Sequence, residues 1–250
     1  MKRETVTSAR NPLLVHLKKL LASRSYREAC GEFAADGTKL LEEAAKWYPG
    51  LETVVVQTGV ELCPLPEHVC VVEIPESLMR SVSQMEAPQG AIFICRLPEA
   101  RPAALRPGTL LLDGIQDPGN LGTILRTADA LEVPVVLLDG CADAYNPKTV
   151  RATMGAVFRT QPVRMTRAEA VQSCRAAGIP LLATAMSADA VDLRKKNLSG
   201  CAVVIGSEGR GVSAELFAAA DGKIIIPMNP RCESLNAAAA ATIVLWQMKC

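Results

Sequence analysis

Aromatic side chains are scarce in this chain: two Trp, three Tyr and four Phe make up 4% of its 250 residues. What fills it is Ala, Val and Leu, an α/β composition rather than one built on stacking aromatics. Histidine is scarcer still, with only His16 and His68. The nine cysteines (Cys30, Cys63, Cys70, Cys95, Cys141, Cys174, Cys201, Cys232 and Cys250) include no Cys-x-x-Cys pair. The one mixed grouping, Cys63, His68 and Cys70, fits no common zinc spacing. With an odd count and mostly apolar neighbours, they read as reduced thiols acting as small hydrophobes, and no metal is expected. No apolar run approaches the roughly 18 residues that span a bilayer. The tail Ala237–Trp246 is too short for that and reads as a buried helix. No apolar h-region follows Met1-Lys-Arg-Glu-Thr5, so no secretory signal is expected and the cytoplasm is the default compartment.

An excess of one charge is also missing, since the net charge is +1. The distribution says more. Residues 1–27 hold Lys2, Arg3, Arg10, Lys18, Lys19, Arg24 and Arg27 against Glu4 alone. Residues 145–167 hold Lys148, Arg151, Arg159, Arg164 and Arg167 without any acid. Two basic patches on a near-neutral chain suit phosphate contact at restricted surfaces, or are solvated helix faces.

The stretch Pro98–Gly108 carries three prolines and a glycine in eleven residues. It marks a boundary between a first domain at 1–97 and a second at 108–250, with 98–107 as linker. Upstream, helical spacing over Asn11–Leu21 and Thr38–Trp47 is interleaved with strands at 53–57, 69–74 and 91–95. Downstream, strands at 110–112, 135–138, 181–184, 202–205 and 223–226 alternate with helices at 121–131, 149–157 and 168–177. The last helix is expected over about 235–248. Strands separated by helices imply a mostly parallel sheet covered on both faces.

Three segments carry candidate chemistry. In Gly206-Ser-Glu-Gly-Arg-Gly211 the glycines match neither the dinucleotide fingerprint nor the P-loop, which needs Lys-Ser/Thr. They still permit close backbone approach to a ligand, with Glu208 and Arg210 in the middle. Ile226-Pro-Met-Asn-Pro-Arg-Cys-Glu-Ser-Leu-Asn236 follows the next strand, and Ser234 reads as the N-cap of the last helix. Such a helix start offers N–H donors to a carboxylate or phosphate. In Asp117-Pro-Gly-Asn-Leu-Gly-Thr-Ile-Leu-Arg-Thr127, Asn120 reads as a cap. Arg126 lies off the apolar stripe with Gly122 and Asp129. It is either a surface partner of Asp129 or a substrate contact above an opening at Gly122.

Taken in order, these segments resemble the motifs of the SpoU/TrmH-type RNA 2′-O-ribose methyltransferases of the SPOUT superfamily. Tyr145–Arg159 resembles the stretch between the first two motifs. Thr7–Leu13 and Phe33–Leu40 resemble a small N-terminal RNA substrate-binding domain, in which Asp36 stands where the family usually has Glu. The resemblance implies a small α/β RNA-binding domain followed by a mostly parallel SPOUT domain with a C-terminal trefoil knot, and a homodimer. The implied cofactor is S-adenosylmethionine, gripped at Thr184, Gly206, Ile226 and Leu235. The implied catalytic set is Asn120, Arg126, Glu208, Ser234 and Asn236. Arg126 acts there on the ribose 2′-hydroxyl. A guanidinium keeps its proton, so it serves more readily as an alkoxide stabiliser, with a phosphate relaying the proton, than as a base. Arg10, Lys18, Lys19, Arg24, Arg27, Lys148 and Arg151 are the expected RNA contacts. Ribosomal RNA is the expected substrate; the alternatives are a transfer RNA methyltransferase or an idle RNA-binding protein of the same fold.

Overall fold

The computed structural model describes residues 3–99, 105–229, 231–232 and 234–250. The middle of the expected linker, residues 100–104, lies outside the described residues. Two compact units form. The first takes the described residues up to Glu99 together with Tyr145–Arg159. The second takes those from Leu105 to Ala144 together with Thr160–Cys250.

In the first unit the order is β1 (Arg3–Thr5), α1 (Pro12–Ala22), α2 (Arg24–Cys30), β2 (Glu32–Asp36), α3 (Thr38–Trp47), β3 (Leu51–Gln57), β4 (Cys70–Ile74), α4 (Glu76–Val82) and β5 (Ala91–Arg96). The strands form one mixed sheet, β1-β4-β3-β5-β2. Alternation along β2 and β5 divides the core between its faces. Ala34, Ile92 and Ile94 pack with Leu14, Leu17 and Leu20 of α1 and Met79 of α4. Phe33 and Phe93 join a different cluster, in which Phe158 lies 5.9 Å from Phe93 and Tyr145 lies 4.8 Å from Phe33. Tyr145–Arg159, which sequence order places downstream of the linker, therefore supplies part of the first unit's core.

Three basic residues are engaged within this unit. Arg27 is only 2% exposed, and its Nη1 donates to the Leu20 carbonyl at 2.7 Å. It satisfies a carbonyl near the C-terminal end of α1 and leaves the set of RNA contacts. Arg151 is half-buried close to the Asp36 carboxylate, whose proton affinity burial raises. Arg159 pairs with Glu43.

The second unit runs β6 (Thr109–Asp113), α5 (Pro118–Ala130), β7 (Val135–Leu137), β8 (Val163–Arg164), α8 (Arg167–Ala177), β9 (Leu181–Thr184), β10 (Val191–Asp192), a 3-10 turn at Leu193–Lys195, β11 (Ala202–Gly206), α9 (Ala214–Ala219), β12 (Gly222–Ile225) and α10 (Ala237–Lys249). The helices α6 (Pro147–Thr153) and α7 (Ala156–Arg159), between β7 and β8 in sequence, belong to the first unit. Seven strands form one sheet in the order β10-β12-β9-β11-β6-β7-β8. Every neighbouring pair is parallel. Leu111, Ala183 and Val204 pack with Ala170 and Cys174 of α8 and Leu216 of α9. On the opposite face α10 packs on β11 and α5. Burial pushes the Cys174 thiol up to about 11, consistent with a small hydrophobe. Among the described residues no helix is long and apolar enough to cross a membrane.

Because these strands are parallel, the carboxyl ends of β6, β9, β11 and β12 share one edge, and the strand order reverses direction there between β11 and β6. In parallel sheets that edge, at the switch in strand order, is where loops diverge and leave a crevice.

Candidate active site at the carboxyl edge of the parallel sheet

Three loops meet at this edge. The first follows β6 and enters α5. Its cap is Asp117, whose carboxylate accepts from the Asn120 N–H at 2.8 Å. Asn120 is therefore not the expected cap. It lies inside the first turn, and its amide is available to the site.

The second loop leaves β11 at Gly206. Ser207 and Gly211 pair across it, Ser207 N donating to Gly211 O at 3.1 Å and Gly211 N to Ser207 O at 2.9 Å. A Cβ on Gly206 would fall 1.9 Å from the Gly211 carbonyl carbon. Glycine is required by this backbone crossing, beyond any need for ligand approach. Glu208 and Arg210 are exposed at the tip.

The third loop runs from β12 to α10. Pro230 and Glu233 lie outside the described residues. The helix cap is Asn236, accepting from Ala238 N at 2.9 Å and Ala239 N at 3.3 Å, and not Ser234 as the sequence suggests. The two N–H donors expected to face an anion are thus already occupied.

The loops are joined by side chains. Asn120 Nδ2 donates to Glu208 Oε1 at 2.5 Å, and Asn236 Nδ2 donates to Asn120 Oδ1 at 3.0 Å. These bonds link positions 88 and 116 residues apart in sequence. Asn120 is the hub. Its amide presents its donor to the carboxylate and its acceptor to the second amide, which fixes its orientation.

Beside this chain lies a cleft of about 370 Å³. Thr184, Gly206, Ile226 and Leu235, the four expected cofactor contacts, all line it, as do Glu208 and Ser234. Its walls also include Met186, Val212, Phe217 and Met228, which the sequence did not single out. Phe217 sits on α9, a six-residue helix too short to leave a periodic signal. Apolar walls with a polar rim, at this volume, suit a small organic ligand.

Arg126 is not drawn into the cleft. It is exposed on α5 and makes no hydrogen bond or ion pair among the described residues. Asp129, its expected surface partner, accepts from Thr160 Oγ1 at 2.7 Å. Gly122 is buried, so it opens no surface beneath a substrate. Arg210 does not line the cleft; its N–H turns back to Ser207 Oγ at 3.3 Å.

The same three loops fall inside one family match, in which residues 107–246 fit the SpoU rRNA methylase family. The chain belongs to that family. Residues 11–92 separately match an MRM3-like substrate binding domain. A 23S rRNA (guanosine 2553) 2′-O-methyltransferase of Bacillus subtilis is 34% identical, across 98% of both chains. A 23S rRNA (uridine 2479) 2′-O-methyltransferase of Streptomyces viridochromogenes is 29% identical over 96% of this chain and 90% of its own. An AdoMet-bound rRNA methyltransferase from Sinorhizobium meliloti superposes with a TM-score of 0.86 at 29% identity, covering 99% of this chain and 97% of its own.

Proposed function

We infer that this protein is an S-adenosylmethionine-dependent RNA 2′-O-ribose methyltransferase acting on ribosomal RNA. The observation that carries the reading is the Glu208–Asn120–Asn236 chain set beside the apolar cleft. Full-length similarity to enzymes named for 23S rRNA supports the substrate class. Those two are named for different nucleotides, so the base is not carried over. The residues present fit the cofactor: apolar walls for an adenosine and a thioether, and strand-end backbone at Gly206 and Ile226 for its polar groups. Thr184 and Leu235 complete that grip.

S-adenosylmethionine, when bound, supplies a methyl group on a positively charged sulfur. The chain's own residues supply orientation and charge. Asn120, Glu208 and Asn236 form a fixed polar edge, with Ser234 beside them, against which a ribose is oriented. Arg126 stabilises the negative charge that grows on the 2′-oxygen as its proton leaves toward a phosphate or solvent. Mass spectrometry of ribosomal RNA from cells with and without the protein tests the reading. One 2′-O-methylated nucleotide should disappear, and an unchanged methylation map would reject it.

The RNA surface proposed for the N-terminal domain, with methyl transfer assigned to 108–250, keeps Arg10, Lys18, Lys19 and Arg24, with Lys148 added. The first four and Lys148 are exposed. Replacing them with Ala should flatten the salt dependence of RNA binding by roughly 0.7–0.9 in log–log slope per lost phosphate contact, with cofactor affinity unchanged. A slope equal to that of the unaltered protein would reduce them to a solvated face.

The trefoil knot is supported by strand order. β12 lies between β9 and β10, both earlier in the chain, so residues 185–201 arch around its far side. A homodimer is supported by α10, where Ile243 and Trp246 remain 40% and 63% exposed beside Ala239. Positions 239, 243 and 246 form one apolar stripe, left without cover by the described residues of a single chain. A site completed across such an interface would explain an Arg126 that no cleft residue touches. Sedimentation at micromolar concentration should give twice 26.6 kDa; a monomer alone would remove this part of the proposal. A ribosomal RNA substrate supports a cytoplasmic location.

A further inference from the structure

We infer that Asp113 is a positioning residue for methyl transfer, whose buried carboxylate clasps the Gly206–Val212 loop at its exit and so holds Glu208 against Asn120. The inference rests on the reading of Glu208 and Asn120 as part of the transfer machinery.

Asp113 ends β6, and its register partner on β11 is Gly206, the residue where the loop begins. Its side chain reaches the other end of the same loop, where Oδ2 accepts from Ser213 N at 2.7 Å. One residue thus lies beside the entry and holds the exit. The remaining oxygen, Oδ1, accepts from Arg167 Nε at 2.7 Å. Arg167 is itself fixed, its Nη2 donating to the Asp139 carbonyl at 3.0 Å and its N–H to Asp139 Oδ2 at 3.2 Å. The clasp is therefore anchored to the ends of two neighbouring strands.

Asp113 is 2% exposed. A buried carboxylate is costly unless paired, and an apolar residue of similar volume commonly serves stability as well. What an apolar residue cannot do is fix a backbone N–H in direction. The Ser213 side chain adds no restraint among the described residues: its Oγ is buried without a partner and makes no cap for α9, while its carbonyl accepts from Phe217 N at 2.9 Å and ties it to that helix. Between the two held ends the loop is pinned, among the described residues, by the Ser207–Gly211 pairing, by Arg210 N donating to Ser207 Oγ at 3.3 Å and by buried Val212. Glu208, at the exposed tip, takes its position from these restraints.

The test uses Asp113→Asn and Arg167→Gln in the full chain, with amide hydrogen exchange at Ser207–Ser213, cofactor calorimetry, and separate kcat and KM for RNA. An amide side chain has one acceptor oxygen, and the charged Arg167 guanidinium competes for it more strongly than a backbone N–H, so Asp113→Asn leaves its own NH₂ against Ser213 N and loses that bond. The Ser213 amide should be protected in the unaltered protein, although it stands at a helix cap. Asp113→Asn should speed exchange across the loop and lower kcat, each at least about tenfold, with KM for RNA unchanged. Arg167→Gln leaves the Ser213 bond in place and should keep the loop protected. An unprotected Ser213 amide in the unaltered protein overturns the inference, and that measurement needs no variant to fold. So does an Asp113→Asn protein with normal exchange and kcat, or an Arg167→Gln protein that loses loop protection equally. Failure of the unaltered protein to methylate RNA would instead reject the proposed function, leaving the exchange result to stand for the clasp.

Discussion

Replacing Arg126 with alanine is expected to leave the fold and the cofactor affinity intact while lowering methyl transfer at least about a hundredfold, the scale of losing one transition-state stabiliser. The separation of effects follows from where the residue lies. Its side chain is exposed on α5 and has no partner among the described residues, so truncation should change stability by no more than about half a kcal/mol. It is not part of the cleft wall, which leaves binding to Gly206, Ile226 and Leu235. Arg126→Lys should recover little, because a compact ammonium does not reproduce the planar fork of a guanidinium. Turnover near normal in Arg126→Ala, measured alongside calorimetry and thermal melting, would end the assignment. The surface role as a partner of Asp129 is not seen either, since Arg126 makes no ion pair among the described residues.

Gly206→Ala should do the opposite and lose cofactor binding together with stability. The new methyl would meet backbone, at 1.9 Å from Gly211 C and 2.1 Å from Gly211 O and Val212 N. Backbone atoms cannot rotate aside as the end of a side chain can, so the Ser207–Gly211 pairing must open. Overpacking of this kind costs about 1–3 kcal/mol or more. Spent on the cleft wall, that is ten- to a hundredfold or more in cofactor Kd at about 1.4 kcal/mol per decade. Gly209→Ala is the matched control, because a Cβ there meets nothing within 4 Å. Calorimetry and melting of the two variants should differ sharply. Equal, small effects would mean that the loop tolerates side chains throughout and that the crossing at Gly206 is not what shapes the cleft.

The apolar runs at 110–112, 181–184, 202–205 and 223–226 predicted strands, and the structure has them at those places with ends shifted by a residue or two. Strand periodicity and buried β-branched runs are properties of local backbone geometry, so they are legible in one dimension. The helix caps were less so. Asp117 and Asn120 both suit an N-cap, as do Ser234 and Asn236, and propensity does not choose between them. In the fold Asn120 lies in the first turn of α5 with its amide bonded to Glu208, while Asn236 both caps α10 and reaches Asn120. An Asn that serves two segments 116 residues apart has no local signature.

The basic patches show the same limit. Residues 145–167 look like one cationic stretch, yet Arg159 pairs with Glu43 and Arg167 with Asp113, and Arg151 is half-buried near Asp36. Arg27 reads as a surface charge and is a core residue bonded to a carbonyl. A charge run in sequence specifies how many partners are needed and not where they come from.

By itself the sequence determined the α/β alternation, the two segments of different construction, and the three loops whose residue types permit close backbone approach and polar bonding. Only the tertiary structure decided which Asn caps and which serves the site, which arginines face solvent, that Tyr145–Arg159 completes the first unit's aromatic core, and that Asp113 clasps the loop of Gly206. The division has one physical cause. Elements arise from interactions within a few residues, whereas the pairing of buried polar groups depends on which distant segments the sheet order brings to the same edge.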